Sequence, residues 1–323
     1  MIFSSKRFDS AIIIVDFNTM LRTIQYIEDS RRNILSDQTL YVIVENGSEN
    51  DNLLKKHYIE LDRNNTESNI ESRISLYSIF QYDEGHIIIF LKANENYGFA
   101  ISNNIGAEYA AKYIKDDGVF IFSNNDIFFN QQIDLNYFFE QFKSNPDIGL
   151  IGPRVIGLDG NSQTPYKYIN FGKRYLRTFI FWPFDRILLG KKSVDDIIYD
   201  ARSGSSPYRV IGAFMIFSKE SFEKIGKFDE HTFMYYEESI ISERLTRANL
   251  KVIYDDTYTI LHEGGATTSN VFTTADRLKR EFESALYYYS NYKNLGKLSE
   301  FLSKRLFKFY LWKRGLYKRT KKD

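Results

Sequence analysis

The stretch "VFIFSNND", Val119 to Asp126, joins a buried strand to a polar ending. Five residues without polar alternation read as a strand covered on both faces, so Asn124, Asn125 and Asp126 stand at its carboxyl end. Three runs of the same texture precede it: "AIIIV" (11–15), "LYVIV" (40–44) and "HIIIFL" (86–91). Segments with helical spacing, 19–35 and 99–114, lie between them. Strand alternating with helix predicts right-handed crossovers and a mostly parallel sheet flanked by helices, an α/β fold. The Asn-rich segment 62–84 breaks the rhythm and is expected to be a surface excursion.

Downstream, "GLIGPRVIGLDGNSQTP" (149–165) reads as a strand with Gly/Pro turns and "RVIGAFMIFS" (209–218) as another buried strand. A helix opening at Glu237, a strand at "KVIYD" (251–255) and "LHEGG" (261–265) follow, and the last fifty residues read as helical. There is no internal repeat and no linker rich enough to separate two independent domains.

With 323 residues, 43% of them hydrophobic, the chain can fill a sizeable core. Its 43 Lys and Arg nearly cancel 42 Asp and Glu, so no global field draws it to nucleic acid. The absence of cysteine excludes disulfides, thiolate nucleophiles and Cys-ligated metals. No signal-peptide pattern and no run of about 18 apolar residues occurs, so a cytoplasmic, non-spanning protein is expected. The 27 Phe and 24 Tyr suit a sugar-binding or membrane-surface protein, or equally a drift in composition.

In an open parallel sheet, ligands bind beyond the carboxyl ends of the strands. Here these ends offer Asp16, Phe17 and Asn18; then Glu45, Asn46, Gly47 and Ser48; then "NENYGF" (94–99); then Asn124, Asn125 and Asp126. Neither G-x-G-x-x-G nor a P-loop motif follows a strand, which argues against dinucleotide and P-loop sites. A carboxylate placed like Asp126 suits Mg²⁺ or Mn²⁺, with ligand phosphates completing the octahedron. His262, before a glycine pair, reads either as a further metal ligand or as a structural histidine. In "FMYYEESIISERL" (233–245), Glu237 and Glu238 open a helix, where acids are favoured by the macrodipole. Helix neighbours point about 100° apart, so at most one of the two is expected to face a reacting centre.

The series "IIIVDFN", "VIVENGS", "NENYGFAISNNIG", "FSNND", "GPRVIGLDG", "VIGAFMIFSKESFEKIGKFDEHTFMYYEES" and "LHEGG" resembles, in order and spacing, the family 2 glycosyltransferases of the GT-A fold. Within them it is most similar to the rhamnosyltransferase-like branch of bacterial polysaccharide synthesis. The likeness runs from about residue 10 to 268. It implies an inverting transfer from a nucleotide-diphosphate-sugar donor to a growing, lipid-linked glycan, with Mg²⁺ or Mn²⁺ as cofactor. By the same resemblance Glu45 reads the base, Asn96, Gly98, Phe99 and Asn104 line the donor loop, and Gly212 and Ala213 wall the donor sugar. Phe17, Asn18, Asn124 and Asn125 join that donor set. Asp126 and His262 are the implied metal ligands, Glu238 the general base, and Glu237 and Arg244 positioning groups.

Departures from the pattern are Asp16 in place of Thr or Pro, Asn125 in place of Pro, and Glu237-Glu238-Ser239-Ile240 in place of Glu-Asp-x-Asp. They leave open a non-catalytic nucleotide-sugar-binding or scaffold subunit. A sugar nucleotidyltransferase would need a Gly-rich, basic N-terminal loop, which "VDFNTM" (15–20) is not. The implied organisation is a glycosyltransferase domain over 1–268, with a nucleotide-sugar half (1–126) and an acceptor half (127–268), and a helical extension over 269–323. In that extension "KLSEFLSKRLFKFYLWKRGLYKRTKKD" interleaves aromatics with cations. Residues 303–323 are expected either to lie on an anionic membrane at the inner face of the plasma membrane or to pack on the domain.

Overall fold

In the computed structural model, which describes residues 8–36, 38–47, 53–65, 73–82, 86–182, 196–264 and 273–316, ten strands form one sheet. The strands in chain order are β1 (Phe8–Asp16), β2 (Ile34–Leu35), β3 (Thr39–Glu45), β4 (Ile59–Asn65), β5 (Ile74–Gln81), β6 (Ile87–Ala93), β7 (Ile114–Ser123), β8 (Ile127–Phe129), β9 (Ile133–Asp134), β10 (Ile148–Gly157), β11 (Phe214–Ser218) and β12 (Lys251–His262). The helices are α1 (Met20–Asn33), α2 (Leu54–His57), α3 (Gly98–Ala110), α4 (Leu135–Ser144), α5 (Arg177–Phe181), α6 (Lys219–Lys224), α7 (Glu237–Arg247), α8 (Thr274–Tyr292) and α9 (Lys297–Lys313). Sheet order is β4-β5-β6-β3-β1-β7-β11-β10-β12-β8, while β2 and β9 make a separate small ribbon.

Strands β6, β3, β1 and β7 are parallel, as their unbroken apolar runs require. Side chains alternate between two cores: Ile13, Val42 and Ile89 enter one with α3, while Ile12, Ile14, Tyr41 and Ile43 enter the other with α1 and α4. β11 runs antiparallel between β7 and β10, and β12 is parallel to β10. The carboxyl ends of β6, β3, β1, β7, β10 and β12 therefore share one edge, and the chain reverses direction across the sheet between β1 and β7.

Three expectations are corrected. Segment 62–84 is not an excursion where it is described: β4 and β5 pair antiparallel and extend the sheet beyond β6. Ile74, Leu76, Ile79 and Phe80 are buried there, and an edge position tolerates the polar β4; residues 66–72 and 83–84 of that segment lie outside the described residues. The strand read over 209–218 begins only at Phe214, because the Gly212 N–H is turned to a side chain and not to a ladder. The strand read over 251–255 continues to His262, past a register shift at Pro153/Arg154 on β10.

Helix α7 ends as its sequence leads one to expect. Asn249 adopts φ 58°, Leu250 N donates to the Leu245 carbonyl and Asn249 N to that of Thr246, which completes a Schellman cap. Its apolar residues, however, serve two faces. Ile241 and Leu245 pack toward the sheet, whereas Ile240 enters a third core with Phe171, Tyr175, Phe179, Phe282, Tyr288 and Phe307. Much of the aromatic content is used there, where α8 covers the helix and α9 packs in turn on α5 and α8.

Candidate active site

The carboxyl edge is organised by side chains that tie one strand end to the next. Asp16, fully buried, accepts from Thr19 Oγ1 (2.8 Å), Thr23 Oγ1 (2.7 Å) and Asn125 Nδ2 (3.2 Å). Burial raises its pKa against the pull of those hydrogen bonds. The Asn125 amide also donates to Thr19 and Thr23, so it points into this knot beneath the edge. Asn18 lies just outside, exposed, with φ 59°, and Phe17 is half-buried beside it. Glu45 is fully buried opposite Asp16 in the β1–β3 register.

Asn46, absent from the expected set, ties the next loop. Its Nδ2 donates to Asn96 Oδ1 (2.8 Å) and its Oδ1 accepts from Tyr97 N (2.9 Å) and Ser102 Oγ (2.8 Å). Gly98 has φ +77°, and a Cβ on it would lie 2.1 Å from the Phe233 carbonyl oxygen, so only glycine fits. This contact sets the α3 start against the segment that leads into Glu237. Asn104 completes the clamp, exchanging hydrogen bonds with the Phe228 backbone (3.0 and 3.1 Å) from within α3.

Asp126 and His262 meet across the β8–β12 pair, whose register sets His262 opposite Ile127. Gln163 Nε2 donates to the His262 carbonyl (3.3 Å), which turns its Oε1 to within 2.6 Å of His262 Nδ1. The ring therefore carries its proton on Nδ1 and aims the Nε2 lone pair at Asp126 Oδ1, 3.1 Å away. Among the described residues neither of these buried atoms has a hydrogen-bond partner. Two facing electron-pair donors are a poor pair alone and a good one around a cation, so the residues fit a divalent ion with the remaining positions filled by a ligand. Among the described residues no third His, Asp or Glu joins them.

A cavity of about 470 Å³ opens beside this pair. The structure brings Phe99, Asn124, Gly212, Ala213, Glu237, Glu238 and His262 to its wall. Asn124 N donates to the Ala213 carbonyl (2.9 Å), joining the β7 end to the turn before β11. Arg244 is not there: it pairs with Asp229 (2.9 Å) and Tyr292 (3.1 Å), locking α7 to α8. Burial works against the Asp229 charge, yet hydrogen bonds from Tyr292 and His231 and the Arg244 charge bring its pKa down to about 2.

The two adjacent glutamates have unlike surroundings. Tyr235 and Tyr236 both take positive φ (73° and 72°), a strained entry to a helix that presents both acids to the cavity. Glu238 Oε1 accepts from Gly212 N at 3.0 Å, and a Cβ on Gly212 would fall 2.7 Å from that oxygen. Glu237 is 6% exposed, and its Oε1 has no hydrogen-bond partner among the described residues. Burial first, and then the Glu238 charge, push its pKa up to about 8. Glu237 thus holds a proton at neutral pH, while its neighbour is set apart by the backbone N–H it accepts from, unlike surroundings of the kind that separate roles in an acid pair at one centre.

A stability consequence follows. Glu237 keeps its proton in the folded protein through an interval in which the unfolded chain, near 4.5, has lost it. Its contribution is complete below pH 4.5 and is lost as the pH rises to about 8. Denaturant unfolding across that window is expected to show stability falling by up to about 1.4 kcal/mol per pH unit relative to Glu237→Gln, which cannot titrate. Parallel profiles for the two proteins would refute the assignment.

The remaining wall could not be foreseen. Arg174, from a π-helical turn (Gly172–Leu176), and Arg209 both bind one oxygen of Asp196, at 3.0 and 2.9 Å. Arg209 stacks on Tyr166 at 3.8 Å, and Tyr208, Tyr236, Tyr288 and Tyr289 line the same side. No spacing motif marks these residues.

Solved structures of similar fold include the mannosyltransferase PcManGT from Pyrobaculum calidifontis in complex with GDP-Man and Mn²⁺ (TM-score 0.52, 10% identity, 95% of this chain and 72% of that one). GalNAc-T7 with UDP, GalNAc and Mn²⁺ matches at TM-score 0.52 and 12% identity, over 97% of this chain and 57% of that one. Staphylococcus aureus TarS matches at 0.50 and 10%, over 97% of this chain and 44% of that one. The chain has the GT-A fold of these glycosyltransferases. No protein-family model matches it, and no curated protein matches it in sequence.

Proposed function

We propose that this protein is an inverting glycosyltransferase that moves a sugar from a nucleotide-diphosphate-sugar to a hydroxyl of a glycan acceptor. The observation that carries this reading is the convergence of Glu238, the Gly212–Ala213 turn and His262, paired with Asp126, on one cavity. The GDP-Man and Mn²⁺ of one similar structure and the UDP, GalNAc and Mn²⁺ of another support it.

In this reading Glu45 and the Phe17, Asn18, Asn96–Phe99 edge receive the nucleotide, and Gly212 and Ala213 bring bare backbone against the donor sugar. Mg²⁺ or Mn²⁺, held by Asp126 and His262, would supply charge neutralisation to the diphosphate. Glu238 keeps one carboxylate oxygen on the Gly212 N–H and has the other to take the proton of the acceptor hydroxyl. Glu237, protonated, donates a hydrogen bond into the same space. The tyrosines and the Arg174–Asp196–Arg209 group form the acceptor side, with aromatic faces for sugar rings.

The acceptor is read as a growing, lipid-linked cell-surface polysaccharide, reached from the cytoplasmic face of the membrane, and rhamnose, from the motif resemblance, is the first donor to test before galactose and glucose. Residues 1–268 are taken as the transferase domain and 269–323 as its extension. The deciding experiment is a screen of nucleotide-sugars for release of free nucleotide diphosphate with and without Mg²⁺ or Mn²⁺. Release that needs the metal supports the reading; saturable donor binding without release or transfer would move it to a non-catalytic nucleotide-sugar-binding subunit.

A further inference from the structure

Helix α9 has two apolar faces, and only one is packed. Ser303, Phe307, Tyr310 and Leu311 are buried; Phe307 and Tyr310 stack against Phe179 of α5, and Phe307 against Phe282 of α8, which fixes the helix on the third core. Leu298, Phe301, Leu302, Phe309 and Trp312 are instead 72, 54, 51, 51 and 64% exposed. At about 100° per residue, these five fall within an arc of about 100°, centred nearly opposite the packed face. Core packing accounts for the first stripe and gives no reason for the second.

The charges around the outer stripe identify its partner. The helix carries Lys297, Lys304, Arg305, Lys308 and Lys313 against a single acid, Glu300, which pairs with Lys304 at 2.6 Å. Lys297, Lys304 and Lys308 project on one shoulder of the stripe, Arg305 lies within it over the Phe301 ring, and Lys313 on the other shoulder turns its Nζ to the Trp182 carbonyl (2.6 Å). We propose that this outer face docks the protein on an anionic lipid surface. Phe309 and Trp312, stacked at 5.6 Å, enter the headgroup boundary side by side, and the long side chains of Lys297, Lys304 and Lys308 reach to lipid phosphates along one flank. Like-charged shoulders make a second copy of the same helix a poor partner, whereas anionic headgroups complement them. Among the described residues no helix is long and apolar enough to cross a membrane, so the helix lies along the surface. The site cavity is lined by other residues, so docking and transfer can fail independently.

The full-length protein is tested by co-sedimentation with phosphatidylglycerol and with phosphatidylcholine vesicles at low and high salt. Binding to the anionic vesicles, weakened by salt, is expected, and Phe309→Ser with Trp312→Ser should lower it by about tenfold or more at unchanged melting temperature. With Trp182→Phe, Trp312 is the single tryptophan, and its emission should shift to the blue on binding. Equal binding to both lipids, no binding, or equal binding by the double variant would overturn the proposal. Self-association of the wild type that the double variant abolishes would also overturn it, assigning the face to a second copy.

Discussion

Replacing Glu238 by glutamine is expected to lower sugar transfer by roughly 10² to 10⁴-fold while donor affinity stays nearly constant. The amide oxygen can keep the hydrogen bond from Gly212 N, so the donor wall is preserved and only the capacity to accept a proton is lost. An alanine would be a poorer probe, because it leaves that N–H without its partner. Glu237→Gln is the internal control. Glu237 already holds its proton at neutral pH, and an amide imitates a protonated acid, so its loss should be smaller and expressed in substrate binding. Glu238→Asp withdraws the carboxylate by about 1.5 Å, and a misplacement of that order can cost about 10²-fold. It should therefore be impaired yet better than glutamine. Normal transfer by Glu238→Gln at saturating acceptor would return the pair to the status of a charged helix start.

Asp126→Ala should remove metal-dependent transfer, a loss on the order of 10³-fold where the ion is worth several kcal/mol of charge stabilisation. Its fold should survive, because the hydrogen bond from Glu263 N goes to the Asp126 backbone carbonyl and is untouched. Gln163→Leu provides the finer test. It frees the His262 ring to place its proton on Nε2 and donate to Asp126, and removal of such a supporting group typically weakens metal affinity by 10 to 100-fold. Titration of the folded protein with Mn²⁺, followed directly, distinguishes lost affinity from lost chemistry. Unaltered Mn²⁺ affinity in Asp126→Ala would move the metal elsewhere.

How far the site was legible depended on distance along the chain. Strand ends are read from where an apolar run stops, so Asp16, Glu45, Asn124 and Asp126 could be put at one edge before any coordinates. Gly98 and Gly212 were named through the motif resemblance, and each meets a neighbour that a side chain would strike. Arg244, a positioning group by the resemblance alone, does not line the cavity, because Asp229 and Tyr292 hold it between α7 and α8. Why Ile240 suits its position also lies outside the local sequence, for it is fully buried in the third core, where a carboxylate would be desolvated.

The parallel core, its ligand-binding edge and the adjacency of two acids at a helix start were thus determined by sequence alone, because hydrophobic period and element length act over a few residues. Tertiary structure decided that Glu237 keeps its proton, since its pKa depends on burial by elements distant in the chain. It decided the tautomer of His262 through Gln163, 99 residues away. It also decided which face of α9 stays exposed, because two apolar stripes on one helix are equivalent until a core has covered one of them.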